Sequence, residues 1–294
     1  MAIIGFTGLG AMGAPMAGHL VAAGHTVRVH DPDAGRMRLL EDRGATGAPT
    51  AAAAAAGAQI LFTMLPSKTE VGEALFGACG AAAALQASAL VIDTSSIAPD
   101  AAIEYGQRLA DRQVGFLDAP VSGGPAGAAA ATLSIMVGGA AADYDRAQPV
   151  LAALGRTIVH VGPVGAGQVA KCCNQIAFDV AIQGVAEALH FARAHGVDCG
   201  KVRDVLLGGL AASKALEVVG AKIVARDFAA GMESRLHHKD IGVVMEVARQ
   251  KHLALPATAA VMQQLNALMA LGMHRDDPAS LVRVLERLVG MQQP

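Results

Sequence analysis

Hydrophobic residues in the first half of the chain fall into short, dense runs, and the stretches between them carry helical periodicity. "AIIGFTG" (2–8) reads as a strand, Met12 to Ala23 as a helix stopped by Gly24, and "TVRVHD" (26–31) as the next strand. Further strands are predicted at "QILFTML" (59–65), "ALVIDTS" (89–95), "GFLDAPV" (115–121), "LSIMVGG" (133–139) and "RTIVHVG" (156–162). Helical stretches between strands predict a parallel, doubly wound α/β domain rather than a set of hairpins. The alanine runs at 51–57 and 81–84 sit between these elements, and alanine's helix propensity makes each a short, tightly packed helix.

After "GPVGAGQ" (162–168) strand alternation is largely lost. A long helix is predicted from Val169 to about His195, with further helices around 200–225, 239–253, 257–272 and 278–289. The expected organisation is α/β overall. A dinucleotide-binding domain with a parallel-sheet core covers 1–162, and an all-helical domain covers 163–294, its first helix starting at an interdomain crevice.

Composition narrows the function. A net charge of -2 with 16% charged residues argues against a nucleic-acid surface, and 3% aromatics without tryptophan supply no base-stacking platform. Mean hydropathy of +0.42 raises a membrane reading. Charged and glycine-rich stretches nevertheless interrupt the apolar runs before they reach spanning length. The N-terminus "MAIIGFTGLG" lacks a basic leader region, so a cytoplasmic protein is expected. Cys79, Cys172, Cys173 and Cys199 form no spaced ligand pairs and are expected to be reduced, filling apolar helix positions.

"GFTGLGAMGAPMAGHL" (5–20) changes the picture. Gly8, Gly10 and Gly13 form G-x-G-x-x-G between a predicted strand and a predicted helix, and Asp31 closes the next strand 18 residues beyond Gly13. Gly8 permits the tight turn, Gly10 leaves room for a pyrophosphate, and Gly13 lets helix and strand approach. Leu9, Ala11 and Met12 complete the loop, and the uncapped helix N–H groups receive anionic oxygens. The Asp31 carboxylate suits both hydroxyls of an adenosine ribose and opposes a 2′-phosphate. Pro32 follows, so no adjacent arginine offers a counter-charge. NAD(H) is favoured, and Arg28, Arg36 and Arg38 leave NADP(H) open.

Two later segments carry candidate chemistry. "DAPVSGGPAGA" (118–128) offers the Ser122 hydroxyl and backbone donors at Gly123 and Gly124, either a small nest for a carboxylate or an ordinary loop. "GAGQVAKCCNQ" (165–175) places Lys171 and Asn174 three residues apart on one helix face. A lysine there can move a proton and an asparagine can orient an oxygen. Lys239, in "RLHHKD" (235–240) ahead of a predicted helix, is either a second positive charge for the site or a solvated surface group. The adjacent His237 and His238 fit no metal-ligand spacing, and no metal is expected.

Together these segments resemble the β-hydroxyacid dehydrogenase family, which includes 3-hydroxyisobutyrate dehydrogenases and tartronate semialdehyde reductases. "GFTGLGAMGAPMAGHL", "DAPVSGG" (118–124), "GAGQVAKCCNQ" and "HKD" (238–240) carry the resemblance over nearly the whole chain. It implies an N-terminal Rossmann domain joined to a helical domain that takes part in oligomerisation, as a homodimer or homotetramer. It also implies that Lys171 is catalytic and that Ser122, Gly123, Gly124 and Asn174 bind substrate. Leu65 and Pro66 of "MLP", and Ser96 of "DTSSIAP", would lie at the cofactor, and Lys239 close to both cofactor and substrate. The substrate would be a small carboxylated aldehyde or hydroxyacid. Within the family, "GGLAASKAL" (208–216) is similar to tartronate semialdehyde reductases, implying NADH-dependent, reversible reduction of tartronate semialdehyde to D-glycerate. A 3-hydroxyisobutyrate dehydrogenase is the alternative. An imine reductase would replace the proton-transfer group, and a non-catalytic dinucleotide-binding protein would not need Lys171.

Overall fold

The computed structural model describes residues 1–290. The described residues divide into two compact units, the first ending at Lys171 and the second beginning at Cys172.

The first unit is built on a sheet with strands β1 (Ile3–Thr7), β2 (Thr26–His30), β3 (Thr46–Gly47), β4 (Ile60–Thr63), β5 (Leu90–Asp93), β6 (Gly115–Asp118), β7 (Val121–Ser122), β8 (Leu133–Gly139) and β9 (Gly155–Gly162). Its helices are α1 (Gly13–Ala22), α2 (Ala34–Glu41), α3 (Ala51–Ala55), α4 (Lys68–Phe76), α5 (Pro99–Ala110), α6 (Gly124–Ala129) and α7 (Ala141–Leu151). The order β3-β2-β1-β4-β5-β6 is parallel throughout and reverses its winding between β1 and β4. That switch point is where open α/β sheets bind ligands, beyond the carboxyl ends of the strands.

The sheet is covered on both faces, and strand alternation sorts side chains between two cores. Phe62, Ile92 and Leu117 join Ile4, Phe6, Met16 and Leu20 in one core. Leu61, Val91 and Phe116 join Val71, Leu75, Ala102 and Leu109 in the other. The alanine run forms α3, capped by the Thr50 hydroxyl, which accepts from the Ala53 N–H. Small residues are needed there because the helix lies against β1: a Cβ on Gly5 would sit 2.7 Å from the Ala54 carbonyl oxygen. The second alanine run makes only a 3-10 turn, Ala81–Ala83.

One part of the sheet departs from the all-parallel expectation. β8 runs antiparallel to β6 and β7 and parallel to β9. A parallel return needs a crossover of about a dozen residues or more. Only 123–132, with the short α6, separate β7 from β8, whereas α7 gives the β8–β9 crossover its length.

α8 (Ala166–Ala194) begins in the first unit and continues through the second. α9 (Cys199–Leu207), α10 (Lys214–Ala225), α11 (Ser234–Gln250), α12 (Pro256–Ala270) and α13 (Leu281–Leu288) complete the second unit, which has no strand among the described residues. Ile182 and Leu189 of α8 pack with Leu216 and Ile223 of α10, Ile241 of α11, Leu265 of α12 and Val282 of α13. The helix expected over 200–225 is broken by Gly208 and Gly209, and Ser213 restarts it as the cap of α10. α11 begins earlier than its periodicity suggests, so Lys239 lies within a helix rather than ahead of one. None of the four cysteines is in a disulfide; Cys172 and Cys199 are partly buried on helices, whereas Cys79 and Cys173 are exposed and Cys79 is not helical, so the expected apolar helix positions fail for those two. No helix among the described residues is long and apolar enough to cross a membrane.

Candidate active site

The glycine loop leaves β1 and enters α1 as its spacing requires, and each glycine is needed for a different reason. Gly8 has φ +96°, and a side chain there would collide with the Met64 carbonyl of the neighbouring strand end. A Cβ on Gly13 would run into the Gly8 carbonyl oxygen. At Gly10, by contrast, a Cβ would meet nothing within 4 Å. The fold therefore requires Gly8 and Gly13 but has no need of glycine at position 10. The open space above Gly10, and the start of α1 without a side-chain cap at Met12, fit an anionic pyrophosphate. A pocket of about 280 Å³ adjoins this end of the sheet, lined by Thr7, His30, Pro32, Thr50 and Leu65 among others. It is of a kind to take the adenosine half of a dinucleotide.

Asp31 is buried at the end of β2. One carboxylate oxygen accepts from the Leu9 N–H at 2.7 Å and the other from the Asp33 N–H at 2.9 Å, so the acid also holds the glycine loop in place. Of the arginines that left the phosphate question open, Arg36 stands 3.6 Å from Asp31 and is half exposed. Arg28 is instead bonded to the Ala56 carbonyl.

At the next strand ends the Leu65 N–H donates to Ser95 Oγ at 2.9 Å, which ties the "MLP" segment carrying Pro66 to the segment carrying Ser96. Gln168, almost fully buried, clamps the latter. Its Oε1 accepts from the Ile97 N–H at 3.1 Å, and its Nε2 donates to the Ser95 carbonyl at 2.8 Å. Asp118 holds the start of α8 by accepting from the N–H groups of Gly165 (2.7 Å) and Gln168 (2.8 Å). These contacts fix the first turns of the helix that carries Lys171.

Lys171 is 9% exposed, and its Nζ donates to the Val121 carbonyl at 2.9 Å. The ammonium is thus held one residue from Ser122, at the loop where Gly123 (φ +137°) and Gly124 (φ +61°) turn the chain into α6. Both conformations favour glycine, and a Cβ on Gly124 would project into open space. An amine held beside a turn of two glycines without Cβ atoms has the chemistry to meet a small carboxylate that carries a reducible carbonyl.

Asn174 and Lys239 belong to the second unit. Asn174 Nδ2 donates to Gln175 Oε1 at 2.8 Å, and Lys239 lies 2.9 Å from Asp240. His237 is paired with Asp179 at 2.5 Å and His238 with Asn266 at 2.8 Å, so each histidine of that dipeptide is engaged with a side chain of another helix. No group of three or more potential metal ligands occurs among the described residues.

Ser95, Asp118, Gln168, Gln175 and Asp240 were not singled out from sequence. Each lies in or beside a quoted motif, but the partners of Asp118 and Gln168 are 47 to 73 residues away. No local spacing announces such pairs.

Asp93 and Asp118 are also register neighbours on β5 and β6. Burial lifts the Asp93 carboxyl to about 6 against the hydrogen bonds from Ser95 and Thr63. Burial likewise lifts Asp118 to about 6 against the N–H groups at the start of α8. Both values lie above the ordinary 3.8, so the folded chain keeps protons that the unfolded chain has released. The stability this provides is complete below about 4 and is lost as pH rises through about 6. Asp93→Asn keeps an acceptor for Thr63 and Ser95 and removes the titration. Its stability relative to wild type is expected to rise by up to ~3 kcal/mol between acid and neutral pH, read from urea unfolding at several pH values. A difference that does not change with pH would contradict this account.

Known proteins show the same fold over nearly the whole chain. Residues 3–162 match the model described as the NAD binding domain of 6-phosphogluconate dehydrogenase. Residues 165–285 match the model described as NAD-binding of NADP-dependent 3-hydroxyisobutyrate dehydrogenase. A 2-hydroxy-3-oxopropionate reductase of Escherichia coli is 39% identical over 96% of this chain and 97% of its own. A 3-hydroxyisobutyrate dehydrogenase of Pseudomonas aeruginosa is 38% identical, covering 88% and 89%. The solved structure of Mycobacterium tuberculosis 3-hydroxyisobutyrate dehydrogenase with L-serine superposes with a TM-score of 0.90 at 33% identity, covering 97% and 99%. A glycine loop shaped for a dinucleotide, a nearly buried lysine held beside the Gly123–Gly124 turn and these whole-length matches lead to one conclusion: the chain belongs to the β-hydroxyacid dehydrogenase family, typified by 3-hydroxyisobutyrate dehydrogenase, and is an oxidoreductase.

Proposed function

We propose that this enzyme reduces tartronate semialdehyde (2-hydroxy-3-oxopropionate) to D-glycerate with NADH, reversibly. The observation that carries the chemistry is the bond from Lys171 Nζ to the Val121 carbonyl, which stations a proton donor beside Ser122, Gly123 and Gly124. The bound nicotinamide supplies or accepts the hydride. Lys171 gives a proton to the aldehyde oxygen as negative charge develops there. In the oxidative direction its neutral amine takes the alcohol proton. The Ser122–Gly124 loop holds the carboxylate, and Asn174 orients substrate oxygen. Lys239 adds positive charge for the anionic substrate and the cofactor, with Leu65 and Pro66 at the cofactor and Ser96 towards its nicotinamide side.

The substrate choice is supported by the 39% identity to the Escherichia coli 2-hydroxy-3-oxopropionate reductase, but the 38% identity to a 3-hydroxyisobutyrate dehydrogenase is nearly equal. Methylmalonate semialdehyde, with a methyl in place of the hydroxyl, is therefore the second reading. Within "GGLAASKAL" the Ser213 hydroxyl accepts from the Leu216 N–H, so it serves α10 as a cap. NADH oxidation against tartronate, methylmalonate and succinic semialdehydes and a cyclic imine tests the assignment. The highest kcat/KM is expected for tartronate semialdehyde, because a site that hydrogen-bonds a hydroxyl loses those partners with a methyl. Equal or reversed specificity constants would reject that substrate.

NADH is the proposed cofactor because the Asp31 carboxylate suits a ribose diol. Asp31→Ala is expected to weaken NADH binding by roughly 10–100-fold, the effect of losing charge-assisted hydrogen bonds, and to narrow the preference over NADPH. Fluorescence titration of both nucleotides measures it. Tighter NADPH binding by the wild type would mean that Arg36 outweighs the acid.

A further inference from the structure

Gln175 and Asp240 contact the two residues of the second unit proposed to meet the substrate, Asn174 and Lys239. They join those residues into one chain of polar contacts within the second unit. Lys239 Nζ lies 2.9 Å from Asp240 Oδ1, Gln175 Nε2 donates to Asp240 Oδ2 at 3.0 Å, and Asn174 Nδ2 donates to Gln175 Oε1 at 2.8 Å. Gln175 is 2% exposed, so bulk water is no alternative partner for its amide.

Donor and acceptor identities run through this chain in one direction only. A primary amide can face a neighbour with either end, whereas an ionised carboxylate only accepts. Asp240, ion-paired to Lys239, therefore requires the NH2 end of Gln175. That turns the Gln175 carbonyl toward Asn174, which must answer with its own NH2. The Asn174 carbonyl is thereby directed away from Gln175 as a hydrogen-bond acceptor. An acceptor in that position recognises a hydroxyl donor and gains nothing from a methyl.

We propose that Gln175 and Asp240 are positioning residues that set the amide orientation of Asn174, so that it presents its carbonyl oxygen to a hydroxyl of the substrate. This rests on the reading that Asn174 touches substrate. The same carboxylate restrains Lys239, so the charge that attracts the substrate and the amide that orients it are fixed by one residue.

Reversing the donors tests this. In Gln175→Glu the new carboxylate faces Asp240 without a proton to donate, and kcat/KM at alkaline pH is expected to fall roughly 10–100-fold. Activity should recover as pH falls, because the introduced carboxyl, once protonated, donates to Asp240 and still accepts from Asn174. Asp240→Asn alone should also cost roughly 10-fold or more, since its single amide oxygen can accept from Gln175 or from Lys239 but not from both. In Gln175→Glu/Asp240→Asn the asparagine donates to the carboxylate, which accepts from Asn174, and kcat/KM should return to within about 5-fold of wild type at all pH values. Whichever β-hydroxyacid or semialdehyde the wild type turns over best is the substrate, with Asn174→Ala as control. Nucleotide titration and thermal midpoints are measured in parallel.

A role in packing alone predicts no pH-dependent recovery and no rescue by the second substitution, and either result in folded proteins overturns the proposal. If Asn174→Ala loses activity while the double variant shows no rescue, the relay fails and the substrate role of Asn174 stands. Normal kcat/KM in Asn174→Ala removes that role and the proposal with it.

Discussion

Lys171→Ala is expected to lower kcat by roughly 10²–10⁴-fold under saturating substrate, the range of a lost general acid–base group. NADH affinity should stay within about 3-fold, because no part of the glycine loop depends on this side chain. The lysine is nearly buried, and its Nζ is anchored to the Val121 carbonyl beside the glycine turn. A solvated surface lysine would have neither feature. Lys171→Arg should be almost as impaired. A guanidinium keeps the positive charge but does not release its proton in the accessible pH range, so electrostatic attraction without proton transfer is isolated. Single-turnover hydride transfer, followed at the NADH absorbance, reads the chemical step directly. Near-normal kcat in folded Lys171→Ala would remove the lysine from the proton path.

Gly10→Val should weaken NADH binding by about 100-fold or more while leaving the cofactor-free thermal midpoint unchanged within about 2 °C. The two effects separate because the folded chain leaves this position empty. Beyond the adjoining residues of the chain, no atom lies within 4 Å of a Cβ built on Gly10, and its backbone is not in the left-handed region. A Cβ there enters only open space, the space proposed for the pyrophosphate. Gly13→Ala makes the contrast, since its Cβ would strike the Gly8 carbonyl and disturb the turn itself. Its loss of binding should come with a loss of stability. A glycine turn kept only for folding would predict the reverse for Gly10, with no change in nucleotide titration.

Some of this protein is determined locally, and local order is what a sequence displays. The parallel strands β1, β2 and β4 to β6 and the helix α1 follow from hydrophobic runs and helical spacing, because burial on both faces of a sheet selects the same residues whatever lies beside them. The glycine loop follows from steric demands among near neighbours, with Gly13 facing Gly8. Lys171 and Asn174 were nameable because one helical turn brings them to one face.

Tertiary structure decided the rest. β8 runs antiparallel to β7 because the segment joining them is too short for a parallel return, a property the strand's own residues do not carry. Lys239 is helical because α11 starts at Ser234, where the Ser234 N–H and hydroxyl bond to the Asp276 carbonyl, 42 residues on. The clamp of Gln168 on Ser95, the Asp93–Asp118 pair and the link from Asn174 through Gln175 to Asp240 all join residues distant along the chain. Polar groups can be buried only when such partners meet, and which partner each one finds is set by the packing of strands and helices.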